Sequence, residues 1–268
     1  MEGITDWNGR VAVVTGGASG IGKGIVDAFR EAGATVVVAD RDQAALARLR
    51  EEGYEAIETD VTDAGSVSRL AEAVVAAHGK VDLVVNNAGV GPKAPAAELT
   101  LDDWRWVIDV NLMGVIHGIH HFLPHLIANP DGAWIVNTAS MARYFTPAGY
   151  TPYVASKAAV EGLSLTLAGE LAAAGERVGV TVLHPGAVRT NIKDSLRNRP
   201  AGNAGALVDF DIAQKVLDDD LWIEPAQAGQ IVLRAVRSGD PYAFTHPNML
   251  DDVERNFALV REQMSKYA

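Results

Sequence analysis

The stretch Val11-Ala12-Val13-Val14-Thr15-Gly16-Gly17-Ala18-Ser19-Gly20-Ile21-Gly22 decides how this chain folds. Val11–Val14 is apolar without alternation, as suits a strand covered on both faces. The run ends at Thr15-Gly16, and a helix-like stretch follows from Ile21 to Glu31, closed by Gly33. Gly16 lets the strand turn sharply. Gly20 lets backbone approach a pyrophosphate with no Cβ in the way. Gly22 lets the helix pack close to the strand. The N-terminal turn over Ser19, Gly20, Ile21 and Gly22 then offers unpaired N–H groups and a positive dipole end to phosphates. A tight turn that binds nothing can carry the same glycines. The place of this one, on the first strand of an alternating sheet, favours a dinucleotide.

Outward from that turn, short β-branched runs alternate with Ala-rich helical stretches. Strands are expected at Thr35–Ala39, 54–58 and 81–85, with helices at 43–52 and 63–78. The rhythm continues with a long helix over 100–128, a strand at Trp134–Asn137, a helix over 152–174 and a strand at Val178–Leu183. Past Ser195 it breaks down until Glu224. A short amphipathic stretch follows Asp209, then Asp218-Asp219-Asp220. After Pro225 come a helix, a last strand around Tyr242–Thr245 and a terminal helix. Strict alternation implies right-handed crossovers and a doubly wound α/β sheet. No Ser/Pro/Gly-rich linker interrupts the 268 residues, so they read as a single domain, 1–268.

Composition excludes several classes. Hydrophobic residues make up 48% and charged residues 21%, which is globular rather than disordered. The net charge of −11 comes with no basic stripe, so no nucleic-acid partner is expected. Cysteine is absent, which removes disulfides, thiol nucleophiles and Cys-ligated zinc. No apolar run is long enough to span a membrane. The segment Met1-Glu2-Gly3-Ile4-Thr5-Asp6 lacks the basic and apolar regions of a secretory signal, so a cytoplasmic protein is expected.

The second strand ends at Asp40, 18 residues after Gly22. A carboxylate there can accept both hydroxyls of an adenosine ribose and repel a 2′-phosphate, favouring NAD over NADP. Arg41 partly offsets that repulsion, and a helix-cap role for Asp40 competes. Asp60-Val61 ends the third strand. Asp60 is placed either to meet the adenine edge or to cap the helix at 63. The fourth strand ends in Asn86-Asn87-Ala88-Gly89, where small and amide residues let a cofactor lie against the sheet edge.

The reacting group is sought in Tyr153-Val154-Ala155-Ser156-Lys157. Thr151 is a good N-cap and Pro152 a good first helical residue. Tyr153 then lies in the first turn, with Lys157 one turn later on the same face. An unperturbed tyrosine titrates near ~10, and a nearby cation lowers that value. Taken alone, the pair also reads as an incidental i,i+4 contact. Ser140, just beyond the fifth strand, could hold a substrate oxygen. Asn111 sits mid-helix, where an unforced helix prefers Ala or Leu. It is either solvent-facing or marks a kink holding a water.

Together Thr15–Gly22, Asp60, Asn86–Gly89, Asn111, Ser140, Tyr153, Lys157 and Pro185-Gly186 resemble the short-chain dehydrogenase/reductase family over roughly 15–190. The resemblance implies a Rossmann-type sheet of about seven strands and a dehydrogenase acting on CH–OH. It makes Tyr153 the acid/base and Lys157 the residue that lowers its pKa and holds the nicotinamide ribose. Ser140 positions the substrate oxygen, and Asn111 supports a proton-relay water. The loop with Pro185, Gly186, Val188 and Thr190 covers the nicotinamide, the last two meeting the carboxamide. Most members are dimers or tetramers, with the helices at 100–128 and 152–174 at the main interface. Asn191–Pro200 and Glu224–Val260 are similar to Cα-dehydrogenases that oxidise benzylic alcohols of lignin-type aryl ethers.

Tyr144 and Tyr150 are expected at the substrate mouth or as packed loop residues. His117, His120, His121 and His125 share the long helix, but no third ligand accompanies an i,i+4 pair, so no metal is expected. The stretch 191–224 is long for a connection and reads as a lid. Its Leu196, Leu207, Val208, Phe210, Ile212, Leu217, Leu221 and Trp222 either receive a hydrophobic or aromatic alcohol/ketone or simply pack the lid down. Two other readings stand beside the dehydrogenase. One is a catalytically silent dinucleotide sensor. The other is a Rossmann-like methyltransferase, disfavoured by the glycine spacing and the Tyr-x-x-x-Lys pair.

Overall fold

The computed structural model describes residues 2–200, 202, 205–211 and 221–267. Ile212, Leu217, Asp218-Asp219-Asp220 and most of the amphipathic stretch after Asp209 lie outside the described residues. In chain order the first half gives β1 (Val11–Thr15), α1 (Gly20–Glu31), β2 (Thr35–Asp40), α2 (Gln43–Glu51), β3 (Glu55–Glu58), α3 (Ala64–His78) and β4 (Leu83–Asn86). The second half gives α4 (Leu101–Ile108), α5 (Gly114–Ile127), β5 (Ala133–Thr138), α6 (Ala142–Phe145), α7 (Thr151–Ala174) and β6 (Val178–His184). α8 (Pro225–Ser238), β7 (Tyr242–Phe244) and α9 (Leu250–Ser265) follow.

The strands form one parallel sheet in the order β3-β2-β1-β4-β5-β6-β7. This is the doubly wound Rossmann arrangement. Its chain direction across the sheet reverses between β1 and β4, which opens a crevice at their carboxyl ends. β1, β4, β5 and β6 are buried along their whole length, the physical reason for their unbroken apolar runs. One face packs Ile25, Phe29, Leu46 and Val236 from α1, α2 and α8 against Val14, Val38 and Leu183. The other packs Leu70, Val74, Phe122, Leu126 and Leu171 from α3, α5 and α7 against Val13, Val37 and Ile135.

Three local expectations change. The long helix over 100–128 is interrupted by a π turn at Asp109–Met113, where the Gly114 N–H bonds the Asp109 carbonyl. Asn111 is buried within that turn, not solvent-facing. At the start of α7 the N-cap is Tyr150, so Thr151 is already helical and Pro152 occupies the first turn behind it.

The edge of the sheet away from the crevice is held by Asp82, which is fully buried. Its carboxylate accepts from Arg10 Nη1 at 2.8 Å, the Val11 N–H at 2.8 Å and Asn129 Nδ2 at 3.0 Å. It ties the entry to β1 to β4 and to the turn before β5. Asp82→Ala leaves these donors without their acceptor. It is expected to cost about 3 kcal/mol or more and to lower the melting temperature by roughly 6–12 °C in calorimetry. A shift below ~2 °C would show that Arg10 and Asn129 find other partners.

Candidate active site

The glycine turn is built as its residues require. Gly16 has φ +63°, a left-handed conformation, and a Cβ there would stand 2.8 Å from the Ala88 Cα. A Cβ on Gly22 would stand 2.1 Å from the Gly16 carbonyl, so the helix meets the strand with no room for a side chain. The first hydrogen bond of α1 runs from the Lys23 N–H to the Ser19 carbonyl at 3.1 Å. The N–H groups of Ser19, Gly20, Ile21 and Gly22 are therefore outside the helical ladder. No side chain caps them and no acid stands in the first turn. That cradle of donors, closed to side chains, fits a dinucleotide pyrophosphate.

Around the turn, Asp40 accepts the Ala18 N–H and the Asp42 N–H, each at 3.1 Å. Asp42, not Asp40, caps α2, through the Ala45 N–H at 2.9 Å. Asp60 likewise leaves the capping of α3 to Asp63 and accepts from Thr62 N–H and hydroxyl at 2.9 and 2.7 Å. The helix-cap alternatives for Asp40 and Asp60 are thus set aside. Arg41 reaches away from Asp40 to the Asn198 carbonyl at 3.0 Å. It also stands 3.9 Å from the Asp60 carboxylate.

Gly16, Ser19, Gly20, Ile21, Asp40, Arg41, Asp60, Val61, Asn87, Ala88, Gly89, Ser140, Tyr153, Lys157, Pro185, Gly186, Val188 and Thr190 all line one cleft of about 1080 Å³. Of the expected site residues only Gly22 and Asn111 lie behind its wall. Val188 pairs with Ile223 through the Arg189 N–H and the Ala187 carbonyl. Its own N–H and carbonyl consequently face the other way. Thr190 sits beside Gly20, where a Cβ would meet its side chain at 3.0 Å, so the loop after β6 closes over the glycine turn.

At the far end of the cleft, Lys157 is buried and donates to the Thr138 carbonyl at 2.8 Å. Its Nζ is 5.8 Å from the centre of the Tyr153 ring. Burial pulls the Lys157 ammonium down to about 8. Burial pushes the Tyr153 phenol up, and a hydrogen bond with Ser140 pulls it back part of the way. The expected depression by Lys157 is therefore outweighed by desolvation, which disfavours both charged forms. Ser140 Oγ also accepts the Ala142 N–H at 3.1 Å, which orients the hydroxyl toward Tyr153. Asn111 bonds the Val90 N–H at 2.8 Å, the Val90 carbonyl at 2.9 Å and Ser156 Oγ at 3.2 Å. Both donors of its amide are used and its Oδ1 accepts one bond, while the widened π turn offers backbone carbonyls beside it.

Tyr150 lines the cleft, its ring 6.1 Å from that of Tyr153 and edge-on to it. Burial pushes its phenol up to about 12. Tyr144 is instead buried in α6 and donates to Glu161 at 3.0 Å, so it does not reach the mouth. Phe210, Leu221 and Trp222 of the lid line the cleft, whereas Leu207 is buried against Trp106 with Leu196 alongside. The apolar lid residues thus divide between those that face the cleft and those that pack the lid down. His117 bonds the Val61 carbonyl at 2.8 Å, and His120 and His121 stack edge-on. Among the described residues no three potential ligands gather around one point. Nor is any described helix long and apolar enough to cross a membrane.

Lys93, Asn248, Met249 and Asp252 also line the cleft and had no counterpart in the sequence reading. Lys93 follows the fourth-strand loop, which could have flagged it. The other three arrive from the C-terminal end of the chain through tertiary packing alone.

A family model for short chain dehydrogenase matches residues 10–201. A C alpha-dehydrogenase from Sphingobium sp. (strain NBRC 103272 / SYK-6) is 33% identical over 272 residues, covering 98% of this chain and 88% of that protein. The 3beta-hydroxysteroid dehydrogenase 2 of Eggerthella lenta is 37% identical over 196 residues, covering 70% of this chain and 75% of that one. A solved short chain dehydrogenase/reductase from Burkholderia phymatum, in complex with NAD, superposes with a TM-score of 0.89 at 34% identity, covering 97% of each chain. The Rossmann sheet, the dinucleotide cradle and these relatives agree: the chain belongs to the short chain dehydrogenase family of nicotinamide-dependent oxidoreductases.

Proposed function

We propose that this protein interconverts a secondary alcohol and a ketone, using NAD in preference to NADP, on a hydrophobic or aromatic small molecule. The observation that carries the reading is the convergence of Tyr153, Ser140 and Lys157 at one end of a cleft whose other end is the glycine turn and Asp40. The apolar lining by Met141, Phe145, Phe210 and Trp222 supports the substrate class. The relative named as a C alpha-dehydrogenase supports it as well.

When bound, the nicotinamide accepts or returns the hydride. The remaining work belongs to the chain. The α1 N-terminus holds the pyrophosphate, and Asp40 takes the adenosine ribose hydroxyls. Val188 and Thr190 meet the carboxamide, and Lys157 the nicotinamide ribose. Ser140 fixes the substrate oxygen against Tyr153. As phenolate, Tyr153 removes the hydroxyl proton during oxidation. As phenol, it returns that proton during reduction. Cationic Lys157 favours the phenolate by Coulomb attraction, against the burial that raises it. Residues 191–224 act as the lid, held to the body where Lys93 pairs with Val208 and Val188 with Ile223.

The chain is further proposed to work as a homo-oligomer. α9 buries no residue, and Val253, Phe257, Val260 and Met264 recur along it at alternating four- and three-residue spacing. Phe257, Val260 and Met264 are 52%, 50% and 70% exposed. Such a stripe seats a second helix. Asp251, Asp252 and Glu254 make the first half of α9 acidic, while Arg261 and Glu262 leave the second half neutral. An antiparallel pairing with α9 of a second copy covers the apolar stripe of each under two-fold symmetry. This surface adds to the expected faces on the helices at 100–128 and 152–174, where Leu101, Ile116 and Leu165 are exposed.

Alcohol oxidation is expected to speed up as pH rises toward the raised Tyr153 value, because it needs the phenolate. Ketone reduction is expected to slow over the same range, because it needs the phenol. Tyr153→Phe should lose about 10²- to 10⁴-fold in both directions while still binding NADH. Near-normal turnover of that variant would refute the assignment. Asp40→Ala should improve the kcat/KM ratio of NADP to NAD by about tenfold or more, and an unchanged ratio would remove Asp40 from the ribose. Val260→Asp should lower the mass seen by analytical ultracentrifugation, whereas an unchanged mass would leave α9 out of the interface.

A further inference from the structure

The wall of the cleft beyond Tyr153 contains a cation that no acid among the described residues answers. Lys93 is fixed by its backbone on two sides. It exchanges hydrogen bonds with Val208 of the lid at 3.0 and 2.9 Å, and the neighbouring Ala94 N–H bonds the Gly149 carbonyl at 3.0 Å. Its ammonium lies 3.2 Å from the centre of the Phe210 ring. Among the described residues no carboxylate stands within ion-pair distance of it. Lys193 and Arg189, which also line the cleft, do have acid partners. Lys193 is bonded to Asp211 at 3.2 Å and Arg189 to Glu224 at 3.1 Å. Asp252, at the mouth, is bonded to Arg255 at 2.9 Å. Lys93 is half-buried, unlike the exposed Arg197 of the same cleft, so water screens its charge less.

Its neighbours share one wall with the reacting end. Gly91, two residues earlier, lies against the Tyr153 ring, where a Cβ would stand 3.6 Å from Cε2. Gly149 lies along the aliphatic stem of Lys93, at 3.8 Å by the same measure. Tyr150 follows directly, and its buried hydroxyl has no hydrogen-bond partner among the described residues. From the reacting end outward the order is Tyr153, Tyr150, Lys93, Phe210. Tyr150 and Phe210 both line the cleft, and the Lys93 ammonium and the Tyr150 hydroxyl stand there as donors.

Resting on the function proposed above, we propose that the substrate is an aromatic secondary alcohol bearing a carboxylate away from its carbinol, and that Lys93 receives that carboxylate. With the carbinol at Tyr153 and Ser140, the ring lies along Tyr150, and the far substituent meets the ammonium. A carboxylate there gains a charge-assisted hydrogen bond from Lys93, with the Tyr150 hydroxyl as a second donor. A neutral ester or unsubstituted ring gains neither charge pairing nor the release of an unanswered cation.

The test is calorimetric binding of 4-acetylbenzoate and its methyl ester to the NADH-saturated protein. The acid is expected to bind about tenfold or more tightly than the ester, with the gap shrinking as salt rises. In Lys93→Met the gap should close, and in Lys93→Arg most of it should return. Equal affinities in the wild type, or a gap that survives in Lys93→Met, would overturn the proposal. Reduction of both ketones is followed in parallel. Reduction that depends on Tyr153 with no acid preference would sink only the role of Lys93. An acid preference with no reduction of either ketone would sink the catalytic reading and leave the anion site standing.

Discussion

Asn111 is buried in the bent helix, and its amide is bonded to both polar groups of Val90 and to Ser156. Ser156 in turn donates to the Tyr153 carbonyl at 2.7 Å. One side chain thereby locks together the loop that leaves β4, the π turn and the first turns of α7. The loop carries Asn87, Ala88 and Gly89 into the cleft, and the helix carries Tyr153 and Lys157 into it. A buried amide left half-bonded is costly, so the three elements hold a single relative position. The irregular turn is the geometric consequence. A regular helix over 100–128 would have no reason to bend where it does.

Behind Ser140 a second buried network holds the other half of the site. His184 Nδ1 meets the Ser140 carbonyl at 3.2 Å, and burial pulls its pKa down. Arg143 pairs with Glu161, which also accepts from Tyr144, joining α6 to α7 one turn beyond Lys157. The turn that bears Ser140 is thus fastened from the rear while its hydroxyl faces the cleft. Polar burial on this scale is tolerable because nearly every member has a partner.

Much of this was legible in the sequence where a local backbone rule applies. Gly16 and Gly22 announce the turn because no side chain fits there, and the unbroken runs of β1 and β4 announce a sheet covered on both faces. Asn111 could be singled out because it is a poor helix residue in mid-helix, though its partners Val90 and Ser156 could not be named. Choices between neighbouring residues were not legible. Asp42 caps where Asp40 was a candidate, and Asp63 caps where Asp60 was, because capping depends on ψ at one residue. The direction in which Tyr153 shifts was not legible, because spacing reveals a neighbouring cation but not the depth of burial. Lys93 and the outer stripe of α9 carry meaning only once the lid and the chain end are placed in three dimensions.

The account stands on direct movement of the carbinol hydrogen to the cofactor while Tyr153 handles only the proton. The most direct measurement is the fate of deuterium placed on the carbinol carbon of an aryl secondary alcohol, followed by mass spectrometry of the NADH formed. The account predicts one deuterium per NADH, on one face of the nicotinamide, with a primary isotope effect under single-turnover conditions. Deuterium released to solvent, or NADH formed without it, would contradict direct transfer and with it the roles given to Tyr153, Ser140 and Lys157.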